Sequence, residues 1–214
     1  MKKNTRFQSL LSLALLTSSL STAALAGAPS DQIKQTSEKI LAVVQNPALA
    51  GADKTKEREG QMRRIVDERF DWTAMARGAL GKHWLDLSSD QRAEFTRLFS
   101  ELIEKTYMSK LESYSGEKIL YKGDKADGLY GTADVVIVTL RGTDIPVTYR
   151  VLKRDAAWLV YDVSIEGVSL VNNYRSQIGT LLDSKTYNDL IVTLKQKIAA
   201  AAADAANDRK TGGK

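Results

Sequence analysis

A single imidazole, at His83, and the absence of any thiol limit what chemistry this chain can perform. Cysteine–histidine nucleophilic catalysis and thiolate or histidine-rich metal sites need residues it does not have. A Ser–His–Asp triad would have to recruit His83, yet no serine sits in a G-x-S-x-G elbow. His83 itself lies in Leu80-Gly81-Lys82-His83-Trp84 and reads as a partly exposed residue at a helix end. No G-x-x-x-x-G-K or G-x-G-x-x-G loop is present to cradle phosphates. Two carboxylates, Asp134 and Asp162, fall in segments with strand character. Beside an apolar cavity such a carboxyl rises in pKa and can act as a general base. One reading is therefore a small-molecule isomerase or hydratase of a cone-shaped α+β fold. The other places each Asp at a sheet edge or next to an arginine. The residue types favour binding over catalysis.

The elements that would position a binding site are most legible at Trp158 to Ile178, WLVYDVSIEGVSLVNNYRSQI. This stretch reads as a buried strand, a corner at Gly167 and the start of a polar-faced helix. Such a junction aims side chains from two element types at one place.

The first 26 residues read as a secretory signal peptide. Lys2, Lys3 and Arg6 stand without an acid, Leu10 to Leu20 is apolar apart from Ser and Thr, and Ala24-Leu25-Ala26 supplies the small-residue cleavage pattern. The apolar run is too short to span a bilayer. The mature chain is expected to start near Gly27, in the periplasm. The full sequence carries 31 basic and 26 acidic residues; removing the three bases of the leader leaves 28 against 26, a net of +2. A balance so close to zero gives no electrostatic case for nucleic acid or for adsorption to anionic membranes. Without cysteine no disulfide is possible, so stability must come from a core, which 188 residues can supply.

One domain over 27–200 is the economical reading, with 201–214 a frayed, disordered tail. Helices are predicted over Asp31 to Gln45, Lys54 to Phe70 and Asp71 to Trp84. A capping box at Ser88 and Gln91 opens a long helix to Tyr114. From Glu117 the apolar period changes to two. Ile119 to Tyr121 is a short strand followed by turn chemistry over Asp124 to Gly128. Tyr130 to Arg141, Ile145 to Lys153 and Trp158 to Ile165 form an antiparallel meander. Helices return over Asn172 to Ile178 and Lys185 to Ala200. Helices, then strands, then helices indicate an α+β domain. Val135 to Val138 and Leu159 to Tyr161 are apolar without alternation, so both sheet faces are at least partly apolar. Either helices fill both faces, or one face lines a cavity; periodicity does not distinguish the two.

Several blocks together resemble one family. Phe70-Asp71-Trp72, Met75-Ala76, Leu80-Gly81 and Trp84 come first, then Phe95, Phe99, Leu102, Tyr107, Leu111 and Tyr114. Val160-Tyr161-Asp162-Val163 and Gly167-Val168-Ser169-Leu170-Val171 with Asn173-Tyr174-Arg175 complete the pattern. In order and spacing, from about Asp31 to Ile198, the chain resembles the MlaC-type (toluene-tolerance) periplasmic phospholipid-binding proteins. It departs from them at Ile178, where Phe is common.

That resemblance implies a small curled antiparallel sheet packed against several helices, with an apolar pocket between them. It implies a monomeric carrier that catalyses nothing and needs no cofactor or metal, with a glycerophospholipid as cargo. Its expected partners are an outer-membrane lipoprotein–porin complex and an inner-membrane complex of an MCE-domain protein and an ABC transporter. The carrier would shuttle lipid between them and so maintain outer-membrane lipid asymmetry. The residues expected to line the pocket are Trp72, Met75, Phe99, Leu102, Val136, Val138, Val147, Tyr149, Val160 and Leu170. Tyr174 and Arg175, at a helix start, suit the lipid phosphate, since helix N-termini and arginine both favour oxyanions. Alternatively Arg175 ties that helix to Asp162 or Glu166.

Overall fold

The computed structural model describes residues 27–211. The expected signal segment, 1–26, lies outside the described residues. Helix α1 (Pro29–Val44) begins on a proline, whose fixed φ suits a first helical turn and whose missing N–H costs nothing there. Helices α2 (Thr55–Asp67) and α3 (Trp72–Leu80) follow, the latter capped by the Asp71 carboxylate accepting from the Ala74 N–H at 2.8 Å. His83 falls in a 3-10 turn, Gly81–Asp86, and is partly exposed as expected. The predicted capping box is formed in both directions: the Ser88 N–H donates to Gln91 Oε1 at 2.9 Å and the Gln91 N–H to Ser88 Oγ at 3.2 Å. It opens α4 (Ser89–Glu112).

The sheet is a meander of β1 (Lys118–Asp127), β2 (Tyr130–Val138), β3 (Asp144–Arg154) and β4 (Ala157–Ile165), with a two-residue β5 (Val168–Ser169) paired to the end of β4. All neighbours are antiparallel. β1 is longer than predicted. Asp124 to Asp127 pair with β2 from Ala133 to Tyr130, and a bulge between Tyr121 and Gly123 absorbs the change of register. This half of β1 is an exposed edge, so its polar residues resemble turn chemistry although they are extended. Glu166 and Gly167, both at positive φ (50° and 81°), make the tight turn that sends the chain from β4 into β5.

The chain ends in α5 (Leu170–Leu182) and α6 (Tyr187–Thr211). Residues 201–211, expected as a frayed tail, continue α6, and Ala205 is buried. The alanine run has high intrinsic helix propensity, and α6 lies against α4.

Three apolar clusters hold the domain. The helical one joins α3, α4, α5 and α6 around Met75, Phe95, Phe99, Leu102, Val171 and Leu190. The sheet cluster joins Ile33 of α1 to Ala133, Val135, Val147, Val151, Val160 and Leu170. The third, Val43, Leu49, Met62 and Met108, packs α1 and α2 on α4. Arg69 clamps the sheet end of this assembly, donating to Thr36 Oγ1, Gln32 Oε1 and the Trp158 carbonyl. Its partial burial lowers its pKa by desolvation.

Candidate functional site

Register decides which strand residues share a surface, because successive side chains point to opposite faces. Ile119, Ile137 and Ile145 form one cross-strand row, and Tyr121, Val135, Val147 and Ile165 the next. Ala133, Tyr149 and Val163 follow, then Gly131, Val151 and Val160. All four rows lie on the inner face, toward the helices. Packing changes along them. Val151 and Val160 have no exposed surface, closed over by Trp158, Pro29 and Ile33. Gly131 is required there, since a Cβ would stand 2.6 Å from the Lys125 carbonyl oxygen. At the other end Ile119, Ile137 and Ile145 all keep solvent access, and so does Ile165. The inner face is packed at one end and open, still apolar, at the other.

Phe70 and Tyr107 pack against both the sheet cluster and the helical cluster, so the seam between the two runs past them. Four tyrosines stand along it. Burial pushes the Tyr149 phenol up to about 12, with the nearby Tyr121 phenol adding to the shift. The side chain nevertheless keeps accessible surface. The inner face is therefore not completely closed over at Tyr149. Burial likewise raises Tyr121, Tyr107 and Tyr174, against opposing hydrogen bonds of Tyr121 with Ser37 and of Tyr174 with Thr106. Neutral phenols on an isoleucine and valine wall give an interior that is greasy with isolated polar handles.

Against this geometry the predicted lining divides. Val147 and Tyr149 of β3, and Val160 and Leu170, belong to the inner-face cluster, Val160 at its sealed end. Met75, Phe99 and Leu102 are buried in the helical cluster, where the Phe99 ring meets the Tyr174 ring edge-on at 5.3 Å. Trp72 packs at that cluster's margin, stacked on Phe70 at 5.2 Å and donating to Asp67 Oδ1. Val136 and Val138 are a correction. They pair with Pro146 and Asp144 and fall on the outer face, opposite in parity to Val135 and Ile137.

Arg175 is a second correction. Its Nε donates to the Gly78 carbonyl at 2.6 Å and its side chain lies against Gly81, so it ties α5 to the end of α3. It is exposed and bonds to neither Asp162 nor Glu166. Asp162 is instead buried in the corner, accepting from Ser169 Oγ at 2.6 Å and the Val171 N–H at 3.1 Å, with Arg150 Nε at 3.9 Å. Ser169 Oγ in turn caps α5 through the Asn172 N–H. Asp134 lies on the outer face, bonded to Thr148 Oγ1 at 2.7 Å. Both strand carboxylates are thus engaged by neighbouring donors of the fold.

Residues of the seam that the predicted lining left out are Ile119, Tyr121, Ile137, Ile145, Val163, Ile165 and Tyr107. The alternation of Ile145, Val147, Tyr149 and Val151 against Pro146, Thr148 and Arg150 was a usable signal for the inner parity of β3. Two grooves elsewhere, one beside Val43, Lys56, Gly60, Arg64 and Ile65 and one beside Gln177, Leu181, Asp189 and Val192, are open to solvent and of mixed polarity. Neither touches the sheet, and both are shallow openings on the helices.

A family-wide sequence profile described as the MlaC protein matches residues 34–196, from α1 into α6 and across every strand of the inner face. The chain belongs to the MlaC family. One relative is the "Intermembrane phospholipid transport system binding protein MlaC" of Haemophilus influenzae, 29% identical over 122 residues. The match covers 55% of this chain and 57% of the relative, so it spans little more than half the length of that protein. Among solved structures, the phospholipid-binding protein of Ralstonia solanacearum, in complex with a phospholipid, superposes with a TM-score of 0.72 at 22% identity. It covers 82% of this chain and 99% of its own, which shows that the α+β fold is shared.

Proposed function

We propose that this MlaC-family chain is an exported carrier that binds a glycerophospholipid with its acyl chains along the seam between the sheet and the helices. The observation that carries the reading is the inner face itself: an apolar wall sealed at the Val151 and Val160 end and solvent-accessible at Ile119, Ile137 and Ile145. The Haemophilus relative, named for intermembrane phospholipid transport, and the Ralstonia structure, which holds a phospholipid, support it. Among the described residues no helix is long and apolar enough to cross a membrane. With the leader read from the sequence, that supports a periplasmic location.

The physical need for such a carrier is large. Exposing a methylene to water costs about 0.8 kcal/mol, so two acyl chains with about thirty methylenes face a barrier of roughly 24 kcal/mol. A lipid held in an apolar seam avoids that barrier. Because it begins and ends in a bilayer, transfer depends on a small difference between two apolar environments. This favours handover at docked membrane complexes, one in each membrane, over release into water. The carrier itself binds without catalysing, and the outer-membrane lipoprotein–porin complex and the inner-membrane MCE–ABC complex would set direction.

The test is transfer of a fluorescent phospholipid from donor to acceptor vesicles. Added protein is expected to speed the exchange at least about ten-fold, since even 1.4 kcal/mol off the desorption step gives that factor. A rate equal to that of vesicles alone would contradict the proposal.

A further inference from the structure

Each end of the sheet carries one exposed leucine at a hairpin turn. Leu140, 68% exposed, follows β2 at the open end, and Leu129, 65% exposed, joins β1 to β2 at the sealed end. Leu140 lies in Thr139-Leu140-Arg141-Gly142-Thr143, where turn chemistry favours small or polar residues over a leucine. The turn closes on itself. The Thr139 N–H donates to the Thr143 carbonyl and the Gly142 N–H to the Thr139 carbonyl, both at 2.9 Å, and the Thr143 N–H donates to Thr139 Oγ1 at 3.0 Å. Behind the turn both faces of the sheet are apolar and reachable by solvent. The inner face has the row of Ile119, Ile137 and Ile145, and the outer face has Val138, partly exposed, and Leu120, exposed. Arg141 and Lys118 stand at this level against Asp144 and Glu117, so the end carries no net charge.

We propose that the β2–β3 turn docks on the bilayer surface itself, with Leu140 entering the headgroup layer and the isoleucine row arriving at the acyl boundary. This rests on the carrier reading and deepens it, by naming the lipid surface as a place where cargo enters the seam. Apolar side chains accessible on both faces fit a fluid that wraps a tip, whereas docking on a protein covers one face. The distances agree. Three residues of strand separate Ile137 from Leu140, about 10 Å, and apolar groups of interfacial segments sink about 5–10 Å into the headgroup boundary. The paired N–H groups of the turn lower the cost of leaving water. With the local charges balanced, apolar area drives insertion, and zwitterionic and anionic lipids serve alike.

The chain has no cysteine, so a single L140C or L129C substitution carries one environment-sensitive dye. The labelled full-length mature protein is mixed with vesicles of phosphatidylcholine, alone or with phosphatidylglycerol, bearing a spin label on the acyl chains. Quenching is expected for the L140C dye with both compositions, and not for the L129C dye. In vesicle-to-vesicle lipid transfer, L140D is expected to slow the rate at least about ten-fold, the factor lost when a leucine side chain is no longer buried, while L129D leaves it unchanged. No quenching at position 140 overturns the docking assignment and leaves that end to a protein partner. Equal quenching at both positions also overturns it, since the protein then lies on the membrane without this orientation. Quenching at position 140 alone, in a protein that transfers no lipid, keeps the docking end and overturns the carrier reading.

Discussion

Ile145→Asp is expected to lower phospholipid occupancy at least about ten-fold while the protein stays folded. Ile145 stands in the open row of the inner face, opposite Ile137, and is only partly buried. A carboxylate there can remain hydrated in the empty protein, so the cost to stability is about 1 kcal/mol, that of an ordinary substitution. An acyl chain laid along the row would strip that water, and an unpaired carboxylate against hydrocarbon costs far more than the 1.4 kcal/mol that ten-fold requires. Ile145→Leu keeps apolar area and is expected to keep the lipid. Val136→Asp, on the outer face, serves as the matched control and is expected to leave occupancy unchanged. Lipid extraction with thermal denaturation reads both quantities; equal lipid content in the Ile145→Asp and Val136→Asp proteins would remove the inner face from the site.

The second large effect is on folding. Asp162→Ala is expected to destabilise the domain by about 3 kcal/mol, because the buried Ser169 hydroxyl and Val171 N–H both lose their acceptor. The damage spreads beyond two hydrogen bonds. Ser169 is the cap of α5, and Leu170 and Val171, the next two residues, anchor that helix in the sheet cluster and the helical cluster respectively. A shift in Tm of roughly 6–12 °C corresponds to that loss in a domain of this size. Asp162→Asn keeps an acceptor for the Val171 N–H and is expected to fall between. A change below about 1 kcal/mol in urea denaturation of Asp162→Ala would show that the corner does not depend on this carboxylate.

Much of this was legible in the sequence, and the failures have specific causes. The capping box at Ser88 and Gln91, the meander and the Gly167 corner follow from local rules that tertiary context did not override. The parity of β2 was not legible. Val135, Val136, Ile137 and Val138 are all apolar, so no alternation marks the inner face; only pairing with β3, whose Pro146 and Thr148 are polar or exposed, assigns Val135 and Ile137 inward. Arg175 was misplaced for a different reason. Its chemistry suits phosphate, but its partner is the Gly78 carbonyl, 97 residues earlier in the chain, and no local pattern reports so distant a contact. Tyr107 was visible as one member of a helical stripe. Its position between two clusters depends on how α4 crosses the sheet, which spacing along one helix does not encode.

The corner from Trp158 to Ile178 thus has a structural task more than a ligand-binding one. Asp162, Ser169 and Val171 lock β4 to α5, and that lock sets Leu170 and Tyr174 beside the seam. The seam itself is built from β1, β2, β3 and β4 with Tyr107 of α4. Its open end carries Ile119, Ile137 and Ile145.

The most direct test of the central claim is the lipid content of the protein after export in a Gram-negative host, purification without detergent, and denaturing mass spectrometry of the extract. The account predicts glycerophospholipid at close to one per chain, lost in parallel with occupancy in Ile145→Asp. A purified, folded protein that carries no phospholipid would contradict it.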